Sequence, residues 1–399
     1  MTPAATRALT LINASLGMPA HRGAASSVRV VDARITAVGC EPQPGDRVVD
    51  LEGDRLLPGL VNAHEHLQLN SFPPLEHGPR FRNVRAWIAE VSLRARTDAA
   101  FRAVVDAPRD RRLLHGAVKN LLSGVTTVAH HDPLYPALTD AGYPVRVVEH
   151  CGWSHSLGID GEAQVRHSYE RTPRDVPWII HAAEGVDDEA AQELDRLEAL
   201  GCLAGNTLIV HGVALGEAGR ARLADAGAGL VWCPASNLRL FGRSAEVADL
   251  VARGRVALGT DSRLSGACDL LHELRVAREA AGLDDAALQA LVTGSSARLL
   301  RLADRGALEP GMLADFLVLP RSRTLSEADR GDVRMVVVGG RMRYGDRDYA
   351  RAMGPASQWL DVTVDGRRKV LERELADRLT RAHVTEPGLE FPDAAWRAA

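Results

Sequence analysis

Short runs of aliphatic and β-branched residues recur along the chain, and four of them end in residues able to bind a metal or move a proton. They are Leu57-Pro58-Gly59-Leu60-Val61-Asn62-Ala63-His64-Glu65-His66, Pro177-Trp178-Ile179-Ile180-His181-Ala182-Ala183-Glu184, Thr207-Leu208-Ile209-Val210-His211 and Val256-Ala257-Leu258-Gly259-Thr260-Asp261. Runs this uniformly apolar predict strands buried on both faces, each with its chemistry at the C-terminal tip. Helical periodicity fills the intervals, for example Asp188 to Leu200 and Glu217 to Ala226. Alternating strands and helices predict parallel strands, and a parallel barrel brings every strand tip to one rim. His64 and Asp261, far apart in sequence, then become neighbours. His64 and His66, one residue apart at a strand end, face one way and can share a metal ion, whereas Glu65 is expected to face the other way into a hydrogen-bonded position, with contact to substrate as the alternative.

The two ends of the chain read differently. Ala8 to Ala14, Ser27 to Val31 and Arg34 to Val38 predict short strands broken by Gly and Pro, and similar strands return at Phe316 to Leu319 and Val333 to Val338. The expected architecture is α/β, a distorted (β/α)8 barrel over residues 56–304 with a small β-sandwich domain formed by residues 1–55 and 305–350. Residues 351–399 form a C-terminal extension, with a strand at Val362-Thr363-Val364 and a charged helix from Arg368 to Arg381.

The chain resembles the amidohydrolase superfamily, in its cytosine deaminase and chlorohydrolase-like branch. The resemblance is carried, in order, by Pro58-Gly59-Leu60-Val61-Asn62-Ala63-His64, His181-Ala182-Ala183-Glu184, His211-Gly212, Cys233-Pro234-Ala235-Ser236-Asn237, Gly259-Thr260-Asp261-Ser262 and Gly306-Ala307-Leu308-Glu309-Pro310-Gly311-Met312-Leu313-Ala314-Asp315. It spans roughly residues 8 to 345 and implies the same barrel and terminal β domain.

Read physically, His64, His66, His181 and Asp261 form a three-imidazole, one-carboxylate set for one divalent ion, with positions left for water and substrate. Such an ion lowers the pKa of its water and supplies hydroxide. Zinc is the expected metal, with iron or manganese as alternatives. Glu184, just past the strand tip, is placed to take a proton from that water and hand it to a leaving group, the role the resemblance also implies. His211 would orient the water or polarise the attacked atom, and Asp261 would both touch the metal and accept a proton.

Candidate pocket residues are Gln68, Trp153, His155, Ser236, Asn237, Arg239 and Arg263, with either arginine able to pair with a substrate carboxylate. His130, His131, His150 and His155 sit near predicted tips and read as contacts to the ligands or to substrate. His21, His77, His115, His167, His272 and His383 read as surface or helix residues.

The chain has only two lysines, Lys119 and Lys369. Two-metal relatives commonly bridge their ions with a carbamylated lysine on the fourth barrel strand. Lys119 falls in the helical run Leu113 to Leu122, off the apolar stripe of Leu114, Ala117, Val118, Leu121 and Leu122, and is expected to project away from the buried face. Lys369 lies in the C-terminal region. A single metal ion is therefore expected, with a pair bridged by Glu149 or Cys151 as the remote alternative.

The remaining composition mainly excludes. A net charge of −4 gives no nucleic-acid signal. Five dispersed cysteines indicate neither a disulfide framework nor a zinc knuckle. No apolar run of about 18 residues suits a membrane. The expected location is the cytoplasm and the expected partner a small-molecule substrate, with homo-oligomerisation left open.

The family pattern is broken between Cys151 and Val176, where the fourth barrel strand is expected to be short and irregular or lost. Substrate identity therefore does not carry over. The leading expectation is hydrolysis of a C–N bond, deaminating a nitrogen heterocycle or amidine-like molecule. The rivals are ring opening or loss of another leaving group (amide, halide or formimidoyl) at the same site, and a catalytically inactive scaffold.

Overall fold

The computed structural model describes residues 8–16, 27–73 and 80–392, so His21 and His77 lie outside the described residues. Eight parallel strands carry the middle of the chain: β1 (Leu60–Glu65), β2 (Val125–His130), β3 (Arg146–Val147), β4 (Gly152–Ser156), β5 (Trp178–Ala182), β6 (Thr207–His211), β7 (Gly229–Trp232) and β8 (Val256–Leu258). They pair in sequence order as a three-stranded sheet, β1 to β3, and a five-stranded sheet, β4 to β8. An isolated parallel bridge from Glu65 to Asp261 links the tips of the first and last strands.

The apolar runs are buried on both faces. Trp178, Ile180, Ile209, Leu230, Val256 and Leu258 pack into the cluster that includes helix residues such as Leu113, Leu194 and Leu274. The alternate set, with Val61, Ala63, Ile179, Leu208, Val210, Val231 and Ala257, packs largely on itself. Period-two alternation of two apolar sets is how a covered parallel strand reads in three dimensions. The fourth strand, β4, is neither lost nor short, contrary to expectation: it has five residues, as β5 and β6 do, but it is irregular, with a register shift against β5 between Ser154 and Ser156.

The chain ends contribute two further sheets. One orders Arg34–Val38, Val28–Val31, Leu9–Ile12 and Arg47–Asp50. The other is eight-stranded and contains Arg55–Pro58, Phe316–Leu319 and Met335–Val338 beside later strands that include Trp359–Val364 and Arg367–Glu372. Residues of both sheets share one hydrophobic cluster, including Leu11, Val30, Val49, Leu56, Phe316 and Val337. Arg55–Pro58 runs through Gly59 directly into β1.

Two further expectations are corrected. The helix expected over Arg368 to Arg381 begins only at Arg373; Arg367–Glu372 is a strand paired along Trp359–Val364. Pairing buries Val370 and Leu371, a tertiary gain that outweighs helical propensity. Lys119 does not project to solvent. Helix α1 (Arg109–Leu122) is buried all round from Leu113 onward, and the Lys119 side chain is fully enclosed. No helix among the described residues is long and apolar enough to cross a membrane.

α1 approaches the turn after β1 through Gly116, where a Cβ would lie 2.3 Å from the Leu67 carbonyl oxygen. Alanine would gain about 1 kcal/mol of helix propensity, but overpacking against backbone costs about 1–3 kcal/mol. Gly116→Ala is therefore expected to lower the denaturant midpoint. A stabilised variant would show that α1 does not sit this close.

Candidate metal centre and active site

The tips of β1, β5 and β8 bring four electron-pair donors together. His181 Nε2 lies 3.2 Å from His64 Nε2 and 3.3 Å from His66 Nε2. Asp261 Oδ1 lies 3.7 Å from His64 Nε2 and 3.8 Å from His66 Nε2. All four residues are buried.

The surrounding bonds decide which nitrogen faces inward. His66 Nδ1 donates to Asp132 Oδ2 at 2.7 Å, and His181 Nδ1 donates to the His155 carbonyl at 2.7 Å, which leaves a lone pair on Nε2 of His181 and on Nε2 of His66 once that ring is deprotonated. Such outer partners fix a ligand's tautomer and orientation. Burial pushes His64 and His181 below the ordinary histidine value, so both are neutral. Burial opposes charge on Asp261 too, but the His64, His211 and His66 imidazoles hold its carboxyl well below the usual range. Its Oδ2 accepts from Ser236 Oγ at 2.7 Å and Ser265 Oγ at 2.6 Å, which aims Oδ1 at the histidines.

This donor set fits a divalent cation. A tetrahedral ion with bonds of about 2.0–2.1 Å keeps its ligands roughly 3.3 Å apart, close to the observed nitrogen separations. Facing lone pairs this close, in a buried space, repel unless a cation or proton lies between them. The same region contains two overlapping groups able to hold a metal ion: His64, His66, His131 and His181, and His64, His211 and Asp261.

Backbone strain concentrates at these tips. Ala183, His211 and Asp261 have φ of +52°, +74° and +60°. Left-handed conformations cost a non-glycine residue about 1–3 kcal/mol and persist only where surroundings impose them. At Asp261 the bend turns the strand end toward β1, where Thr260 N and Asp261 N both donate to the His64 carbonyl at 3.1 Å. At Ala183 the backbone N–H donates to Glu193 Oε2 at 2.7 Å, pinning the segment that carries Glu184.

Glu184 and His211 form a pair beside the donors, with Glu184 Oε1 3.5 Å from His211 Nε2. Burial, then the Asp261 and Glu193 carboxylates, push the Glu184 carboxyl well up, and its Oε2 has no partner. Burial lowers His211 to about 4, so the ring is neutral. His211 Nδ1 donates to Asn237 Oδ1 at 2.9 Å, leaving Nε2 directed at Glu184.

The expected pocket residues divide. Gln68 Nε2 donates to Asp132 Oδ2 at 2.7 Å while Gln68 Oε1 is unpartnered. Trp153 and His155 meet edge to face at 4.9 Å and stand beside His131. Arg239, half-buried, has an unpartnered Nη1. The Asn237 amide is engaged with His211 instead of open space, and Ser236 holds Asp261. Arg263 is not free for a substrate carboxylate: it is buried and paired with Glu386 at 2.7 Å, with His115, a buried helix residue, on the same carboxylate.

Sequence reasoning passed over Asp132, Ser265 and Glu193. Asp132 had a signal, since it directly follows His130-His131 at a strand end. His131 enters the centre more closely than expected. Its Nε2 donates to the Ser154 carbonyl at 2.9 Å, its Nδ1 is buried without a partner, and its ring stacks on His181 at 4.4 Å.

Burial opposes protonation of His66, but the Asp132 carboxylate raises its value to about 9. Metal binding needs the free ring, so a proton must leave. Apparent metal affinity is expected to fall about tenfold per pH unit below that value from this group alone. Asp132→Asn should flatten the dependence, as read by calorimetric metal titration in buffers of different ionisation enthalpy. An unchanged profile would rule out tuning by Asp132.

The chain is similar in sequence and in fold to known proteins. Residues 167–343 match the model of the amidohydrolase family. A 5-methylthioadenosine/S-adenosylhomocysteine deaminase from Natronomonas pharaonis is 30% identical, over 79% of this chain and 86% of the relative. An 8-oxoguanine deaminase from Pseudomonas aeruginosa is 27% identical, over 81% of this chain and 90% of the relative. In fold, the chain is similar to a zinc-bound adenosine deaminase from Xanthomonas campestris, with a TM-score of 0.67 at 20% identity, covering 88% of this chain and 97% of that one. It is also similar to atrazine chlorohydrolase from Arthrobacter aurescens complexed with zinc, with a TM-score of 0.69 at 20% identity, covering 84% and 94% of the two chains. Similar over most of its length to a curated deaminase at 30% identity, the chain belongs to the amidohydrolase family and is a hydrolase.

Proposed function

We propose that the protein is a mononuclear metal-dependent aminohydrolase that replaces an amino group on a nitrogen heterocycle, or on an amidine-like small molecule, with oxygen. The observation that carries the reading is the convergence of His64, His66, His181 and Asp261 beside the Glu184–His211 pair. One zinc ion, or iron(II) or manganese(II), would be held by those four residues and would supply a water nucleophilic at neutral pH.

The chain's own groups perform the proton work. Glu184 takes a proton from the water as the new C–O bond forms, and delivers it to the departing nitrogen as the C–N bond breaks and ammonia leaves. Its burial suits this, because a carboxyl whose pKa lies well above the ordinary range can hold that proton between the two transfers. His211, kept neutral with its Nδ1–H on Asn237, presents Nε2 to the same space as a hydrogen-bond acceptor that orients the water. Asp261 stays ionised and accepts a hydrogen bond from the water, which orients it. Gln68, Trp153, His155 and Arg239 line the substrate side, with Gln68 Oε1 and Arg239 Nη1 available for hydrogen bonds.

The strands belong, in this reading, to a distorted (β/α)8 barrel over residues 56–304, with a β-sandwich from residues 1–55 and 305–350 and an extension over 351–399. The Glu65–Asp261 bridge and the self-contained cluster of alternate strand residues support the closed form. Purine deaminases among the relatives favour a purine-like substrate.

Ammonia release across purines, pyrimidines, triazines and guanidino compounds tests the proposal. Glu184→Gln is expected to lower kcat by about 10²–10⁴-fold while metal content stays at one per chain. Turnover without ammonia would replace deamination with loss of another group, and full activity in the variant would overturn the role of Glu184.

A further inference from the structure

The acid between the two strand-end histidines has no part in the chemistry above, yet its surroundings tie two walls of the site together. Glu65 is fully buried. Its Oε2 accepts from Lys119 Nζ at 2.8 Å, Thr260 Oγ1 at 2.8 Å, Asn120 Nδ2 at 3.1 Å and Asn62 Nδ2 at 3.3 Å; its Oε1 accepts from Asn70 Nδ2 at 3.0 Å. Lys119 also donates to Asn70 Oδ1 at 2.8 Å, an oxygen that accepts the Arg263 backbone N–H at 2.9 Å as well. Asn62 Oδ1 accepts from Thr260 N at 3.1 Å.

Four segments meet at this carboxylate: the tip of β1, the turn at Asn70, helix α1 and the stretch Thr260 to Arg263. The first carries His64 and His66, and the last carries Asp261. Pairing between β1 and β2 shifts between Asn62 and Glu65, and this irregularity lets two residues three apart reach the same pocket. Both charges of the pair are fully enclosed. A buried charge stripped of its partner is costly, so Lys119 and Glu65 each demand the other in one geometry.

We propose that the Lys119–Glu65 ion pair is a positioning device for the metal centre, setting the placement of the His64 and His66 strand tip against Asp261 and thereby the centre's affinity for its ion. Lys119 is a positioning residue that touches neither ion nor substrate. The inference rests on the metal-centre reading above. Thr260 transmits the constraint, since its hydroxyl and backbone N–H both grip the network one residue before Asp261.

The test is zinc affinity, measured by chelator competition on folded, metal-stripped protein, with the absorption spectrum of the cobalt(II)-loaded form as a second readout. Lys119→Met is expected to weaken zinc binding about 10–100-fold and to alter the cobalt bands. Lys119→Met with Glu65→Gln, which removes the orphaned charge, should regain part of that affinity. Thr260→Val deletes one link with little change of shape and should weaken zinc in the same direction, whereas Thr260→Ser keeps the hydroxyl and should bind as the wild type does. If Lys119→Met does not fold, the two Thr260 variants decide the question. Folded variants with wild-type zinc affinity and unchanged cobalt bands would overturn the proposal and leave the pair a stabiliser of the fold only. A wild-type protein that binds neither metal would overturn the centre itself, a failure separable from that of the clamp.

Discussion

In a buried space the His181 nitrogen faces those of His64 and His66, and the Asp261 carboxylate oxygen faces the same two, each across less than 4 Å; this crowding of lone pairs is the constraint on which the surrounding structure depends. Nothing in the inward-facing set holds these groups in place, since like donors do not attract. Orientation comes from behind. Asp132 and the His155 carbonyl fix the rings of His66 and His181, and Ser236 and Ser265 hold the far oxygen of Asp261. Each of these bonds removes a rotational choice that an unconstrained side chain would keep.

The strands answer the same need at the level of the backbone. The bodies of β5 to β8 are largely apolar on both faces, and the polar side chains that form the centre gather at the tips. Left-handed conformations at Ala183, His211 and Asp261 bend the chain there, and the bends are held by specific bonds, such as those to Glu193 and the His64 carbonyl. The C-terminal region joins this support: Glu386 binds Arg263, two residues beyond Asp261, together with Arg330 and His115. Strain is sustained at these tips because the neighbouring packing over-determines it.

Two carboxyls a short way apart are given opposite characters. Asp261 faces imidazoles and accepts two hydroxyl bonds, which favours its charge. Glu184 is equally buried but faces other carboxylates, with one oxygen unpartnered, which favours its proton. Environments that separate two titratable groups in this way suit one to ligation and the other to carrying protons. The irregular fourth strand carries Trp153 and His155, whose rings meet edge to face beside His131.

Much of this was legible in the chain. Alternating apolar runs and helical stretches determined parallel strands, and the residue types closing those runs, His64, His66, His181, Glu184, His211 and Asp261, determined a family and a chemistry, because strand tips in such a fold share one rim. The sense in which Glu65 turns away from its flanking histidines followed from strand alternation. Tertiary structure alone decided who supports whom. Asp132 acquires its part from where His66 comes to lie, Asn237 and Arg263 turn out to serve His211 and Glu386, and Arg367–Glu372 becomes a strand through the partner it finds. Lys119 is the sharpest instance. Periodicity along α1 placed it off the apolar stripe, but periodicity registers only the polarity of a helix face and not what lies opposite it, and here the opposite surface holds a buried carboxylate that receives the charge.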